Sequence, residues 1–151
     1  MTDESHRAFI SAFGTEHHEL RQLVQAIRAV VRDERPWSHE AVAEVVELLA
    51  SLETHLHHHF AQEEAGGYLE EVLSLAPRFS DEVAELLRQH PQMLDKTRLV
   101  YKTAGRAVHE SSAWPQLKRE LRELIEALIA HESEENKIVQ QAFNTGLEDL
   151  D

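Results

Sequence analysis

"HLHHHFAQEE", residues 55–64, places four histidines and two glutamates in ten positions of a chain that has no cysteine. At helical period Leu56, His59 and Glu63 share one face, whereas His57 and His58 point away from it. The same face runs back through Val45, Leu49 and Leu52, so this stretch ends an amphipathic helix whose apolar stripe turns into histidine and then glutamate. A carboxylate buried without a partner is costly, and a glutamate on a core stripe therefore demands a cation or a proton.

The pattern recurs along the chain. Breaks are expected at Pro36–Ser38, Gly66–Gly67, Pro77–Ser80, Ser111–Pro115 and Asn144–Gly146, which leaves four long helical segments and a short turn at Leu69–Leu75. Ser38 is the expected N-cap of the second segment, and Ser80, followed by Asp81 and Glu82, that of the third; Pro115 suits the first turn of the fourth. The first stripe reads Phe13, His17, Leu20, Val24, Ile27, Val31, and the third Val83, Leu87, His90, Leu94, Thr97, Tyr101. The fourth reads Leu117, Leu121, Leu124, Leu128, His131, Glu135, Ile138, Ala142. Histidine interrupts every stripe. Pro91 should either kink the third helix or mark its start.

Composition narrows the class. The 151 residues, 42% hydrophobic with only five Gly and four Pro, suit one all-α domain spanning 1–151. Fifteen basic against 28 acidic residues leave a net charge of −13, which repels nucleic acid and anionic membranes and attracts cations. Zero cysteines exclude disulfides and thiolate metal sites. MTDESHRAF has neither the basic start nor the apolar run of a signal peptide, and no stretch is long and apolar enough to span a bilayer, so a cytoplasmic protein is expected.

Depth gives an independent test. Two His-x-x-x-Glu pairs, His59/Glu63 and His131/Glu135, are no more than chance supplies, so only their placement is informative. In an up-down-up-down four-helix bundle, His17, His59, His90 and His131 lie about 16–20 residues below one end, a spread of about 6 Å at a rise of about 1.5 Å per residue. Four imidazoles then meet in one layer, and Glu63 and Glu135 reach it from two parallel helices. Such a pair of carboxylates can be shared by two cations. His18 falls off the stripe; His55 is expected beside the site or at the surface, and His6, His39, His57, His58 and His109 at the surface. Tyr101 is expected in the core.

With these residues the chain resembles the hemerythrin-like, or HHE cation-binding, domain family. The resemblance is carried by His59-Phe60-Ala61-Gln62-Glu63-Glu64, similar to the family's His-Phe-x-x-Glu-Glu, by His131-x-x-x-Glu135, and by single histidines at His17 and His90. It implies a non-haem di-iron site of His17, His59, Glu63, His90, His131 and Glu135, with bridging carboxylates and terminal histidines. Manganese or zinc would also suit nitrogen and oxygen donors. Two departures stand against reversible oxygen carriage of the hemerythrin kind. Leu86 and Leu94 flank His90 where a His-x-x-x-His pair is expected, and Asn136 replaces an aspartate. Ferritin-like Glu-x-x-His and zinc-protease HExxH motifs are absent.

Three functions follow as alternatives. The first is a module that binds or senses oxygen, peroxide, nitric oxide or iron itself. The second is a di-iron oxidase or peroxidase, and the third a metal-free structural bundle.

Overall fold

Ser38 lies in extended backbone, and its hydroxyl accepts a hydrogen bond from the Ala41 N–H at 3.0 Å. That cap starts the helix containing the histidine-rich stretch. The computed structural model describes residues 3–65 and 67–149, with side chains described for 17–65 and 67–144. It contains α1 (Asp3–Arg32), α2 (His39–Glu64), α3 (Tyr68–Leu75), α4 (Ser80–Ala107) and α5 (Trp114–Asp149), with no strand among the described residues. Gly67, at φ 86°, adopts the left-handed conformation that turns the chain from α2 into α3. No helix among the described residues is long and apolar enough to cross a membrane.

The four long helices form an up-down-up-down bundle in which α1 packs on α2, α2 on α4, α4 on α5, and α5 back on α1. The short α3 lies against α5 and α2. Two indoles join the connections at one end. Trp37 Nε1 donates to the Ala107 carbonyl at 2.7 Å, and Trp114 Nε1 donates to the Arg35 carbonyl at 3.1 Å.

Two features differ from expectation at the helix ends. Ser80 does not cap α4: the 3₁₀ turn Pro77–Phe79 runs straight into it, Ser80 is already helical, and Phe79, at the cap position, makes no side-chain cap hydrogen bond. Asp81 and Glu82 remain there to meet the positive end of the helix dipole. The expected break at Asn144–Gly146 is also missing, since α5 runs on to Asp149. One glycine costs a helix only about 1 kcal/mol, and Ala142 and Phe143, buried just before it, anchor the segment. α4 continues through Pro91, whose exposed ring lies on the outer side.

The core stripe of α4 is shifted by one residue from its expected phase. Leu86, Met93 and Val100 are buried, whereas Leu87 and Leu94 are half-buried and Tyr101 is 38% exposed. Val83, His90 and Thr97 recur every seven residues and belong to both phases, so the pattern left the intervening choices open. In α1, Val30 is buried and Val31 only half-buried. Phe13 and His6 lie outside the described side chains.

The core is in two parts. A larger apolar cluster includes Leu20, Leu52, Leu56, Phe60, Met93, Leu121, Leu124 and Leu128. A smaller one includes Leu69, Val72, Val83, Leu86, Ile138, Ala142 and Phe143. His90 sits between Leu86 and Met93 on α4, and His131 and Glu135 between Leu128 and Ile138 on α5, so a polar layer separates the two clusters. The larger cluster supplies most of the apolar burial. Leu121→Ala should therefore cost about 2–5 kcal/mol, read as a lower urea midpoint with the metal content unchanged.

Candidate metal centre

The helices bring His17, His59, Glu63, His90, His131 and Glu135 together in that layer, each no more than 5% exposed. Two groups of donors result. His17, His59, Glu63 and Glu135 offer ligand atoms all within 4.8 Å of one another, and so do Glu63, His90, His131 and Glu135. The carboxylates belong to both groups; each histidine belongs to one.

Individual oxygens are divided between the groups. Glu63 Oε1 lies 2.5 Å from His59 Nε2, and Glu63 Oε2 lies 2.8 Å from His90 Nε2. Glu135 Oε1 lies 2.9 Å from His17 Nε2 and 3.6 Å from His59 Nε2, while Glu135 Oε2 lies 3.1 Å from His131 Nε2. Each carboxylate thus turns one oxygen toward one imidazole pair and the other toward the second pair.

The far nitrogens show what the near ones require. His90 Nδ1 donates to Glu64 Oε1 at 3.0 Å, and His131 Nδ1 donates to Gln89 Oε1 at 2.7 Å. A neutral imidazole has one N–H, so with Nδ1 committed its Nε2 presents a lone pair. His90 Nε2 and His131 Nε2 then face carboxylate oxygens at contact distance, acceptor against acceptor. Among the described residues His90 Nε2, His131 Nε2, both Glu63 oxygens and Glu135 Oε2 are buried with no hydrogen bond of good geometry. Only a cation or an added proton reconciles such atoms. The donor set of four imidazoles and two carboxylates fits divalent transition-metal ions.

Electrostatics point the same way. Burial, together with the neighbouring Glu135, raises the Glu63 carboxyl above its usual range. Burial also pushes Glu135 upward but is overcome by Glu63 and the imidazoles of His131, His17 and His59, which hold Glu135 well below that range. Burial likewise opposes the charged form of His59, yet Glu135 and Glu63 raise it from 6.5 to about 10. His90 is raised against burial by Glu63 and Glu64. A group with a raised folded value contributes stability fully below its unfolded value and loses it as pH climbs through the folded one. In chelator-treated protein, the difference in melting temperature between wild type and His59→Gln should therefore close as pH rises from 6.5 toward 10.

The other histidines divide as their stripe positions imply. His18, His39, His57, His58 and His109 are exposed. His55 is half-buried, its ring stacked on His59 at 6.0 Å and its Nδ1 3.8 Å from Glu19. Sequence reasoning did not identify Glu64, Gln89, Glu132 or Phe60 as parts of the site. Phe60 stacks on His90 at 3.9 Å and 8° and meets His131 edge-on at 5.9 Å. Glu132, 7% exposed, approaches His17 Nδ1 at 3.6 Å and accepts from Arg21 at 3.2 Å. Glu64, Gln89 and Glu132 each adjoin a layer residue in sequence, and that adjacency was the available signal.

A family model described as the Hemerythrin HHE cation binding domain matches residues 8–143. Comparison with curated proteins and with solved structures gives no match.

Proposed function

The chain belongs to the hemerythrin HHE cation-binding domain family, and from that membership and the geometry of the polar layer we propose a non-haem di-iron protein that binds or senses oxygen, peroxide or nitric oxide. The observation that carries this reading is that two buried donor groups share both of their carboxylates, Glu63 and Glu135. His17 and His59 would hold one ion, His90 and His131 the other, and the carboxylates both. Iron bound there supplies open coordination positions and redox capacity toward a small exogenous ligand. Manganese or zinc would be accepted by the same donors.

The chain's own residues do the rest. Glu63 and Glu135 offset the repulsion between two like-charged ions and anchor the layer to α2 and α5. Leu56, Phe60, Met93 and Leu128 above it, and Leu86 and Ile138 below, keep its surroundings apolar. That favours a small neutral ligand over bulk water. Two surface grooves approach the layer beside α4. One of about 260 Å³ includes Gln89 and His131 in its wall, and one of about 410 Å³ includes Phe60, Glu64 and His90. Both flank the His90/His131 half.

Metal analysis and the visible spectrum of anaerobically purified protein test the reading. About two irons per chain, with a band that forms on oxygen exposure and reverses on its removal, is the result expected of a binding or sensing protein. Bleaching with turnover of peroxide would replace it by the enzymatic reading. No iron after reconstitution, with an unchanged melting temperature, would refute both.

A further inference from the structure

The two donor groups have the same composition, two imidazoles and two shared carboxylates, but differ in what lies behind the imidazoles. Behind the His90/His131 pair both Nδ1–H groups are engaged, by Glu64 at 3.0 Å and Gln89 at 2.7 Å. At the His17/His59 pair the Nδ1 atoms are engaged less closely. His59 Nδ1 is buried with no hydrogen-bond partner among the described residues. His17 Nδ1 lies 3.6 Å from Glu132, a carboxylate already engaged by Arg21 at 3.2 Å.

These contacts follow a rule around the bundle. Glu64 adjoins Glu63 on α2 but bonds His90 of α4; Gln89 adjoins His90 on α4 but bonds His131 of α5. Glu132 adjoins His131 on α5 and faces His17 of α1. Three of the four long helices thus brace the imidazole of the next, and the bracing is tightest at the first two steps.

An acceptor on Nδ1–H fixes the tautomer, aims the Nε2 lone pair into the layer and makes the ring a stronger donor, most of all when the acceptor is anionic. We propose that Glu64 and Gln89 are positioning residues that make the two metal positions unequal, so that the His90/His131 position binds the first ion. Glu64 is the stronger of the two because it carries charge. It is also 48% exposed, so its bond to His90 links the buried ring to the surface.

The inference rests on the proposed two-metal reading, and a Co²⁺ titration of chelator-treated chain, followed by visible absorption and calorimetry, separates the two. Wild type should take two ions in resolved steps; uptake of fewer than two overturns the two-metal reading itself. Given two ions, Glu64→Ala should weaken the first step by roughly 10–100-fold and leave the second within a few-fold. Glu64→Gln, which keeps a carbonyl acceptor, should recover part of the loss, and Gln89→Ala should weaken the same step. Paramagnetic broadening of the histidine ring signals at one Co²⁺ per chain locates the first ion: His90 and His131 should broaden before His17 and His59. Far-ultraviolet circular dichroism of each variant identifies any folding defect. An unchanged first step in a folded Glu64→Ala/Gln89→Ala double variant, or broadening that begins at His17 and His59, would overturn the proposal.

Discussion

Replacing Glu63 and Glu135 together by glutamine should leave a folded bundle that no longer holds a pair of metal ions. Each substitution keeps the shape of the side chain and removes its charge. Two divalent ions a few ångströms apart repel by on the order of 10 kcal/mol even at an effective dielectric constant of 20, and among the described residues the carboxylates common to both donor groups are these two. Neutral imidazoles add lone pairs but no negative charge. A glutamine offers one carbonyl oxygen in place of two anionic ones and cannot present an oxygen to each imidazole pair as Glu63 does toward His59 and His90. Metal content should fall from about two ions per chain to less than one, with helicity by circular dichroism unchanged. Retention of both ions would show that the carboxylates do not bridge. Stability distinguishes this outcome from unfolding. Glu63 and Glu135 are 1% and 0% exposed and hold the charged form of the buried His59, so in chelated protein the double variant loses that pairing together with its desolvation cost and should still melt as one cooperative unit, at or a few degrees below wild type stripped of metal.

Much of this architecture is legible in one dimension. Proline, glycine and serine punctuate the helices, and Ser38 caps α2 as its position implies. The six inward residues fall on stripes whose period is a property of the helix, and short connections force the helices to alternate in direction. A residue's depth then follows from its number, which is why four histidines far apart in sequence meet in one layer. The phase of α4 was not legible to the same degree. Leu86 and Leu87, or Met93 and Leu94, are all apolar, and only packing against α5 and α2 decides between them. The bracing contacts were beyond reach for another reason. Glu64, Gln89 and Glu132 lie off the stripe of their own helix, and their role depends on where the next helix places the back of an imidazole. Periodicity within a single helix contains no such information. Pro91 interrupts the sequence pattern more than the backbone, since an exposed ring on the outer side leaves the inward face of α4 continuous.

Stripping the metal from loaded protein should lower its melting temperature by roughly 8–16 °C. A ligand that binds only the native state stabilises it by about 4.1 kcal/mol when present at a thousand times its dissociation constant. Each kcal/mol moves the midpoint of a chain of this size by about 2–4 °C. The sign follows from the position of the layer. Four imidazoles and two carboxylates lie between two apolar clusters, where they lose hydration and where protons satisfy only part of their lone pairs. An ion that accepts those lone pairs removes the conflict and joins all four long helices, since α1, α2, α4 and α5 each contribute a histidine. Scanning calorimetry before and after chelation measures the shift, and adding back iron should restore the higher midpoint. The Glu63→Gln/Glu135→Gln variant serves as the reference, because its midpoint should respond to neither treatment. If wild type melts at the same temperature with and without metal, the layer is stable on protons alone, and the ions contribute nothing to holding the helices together.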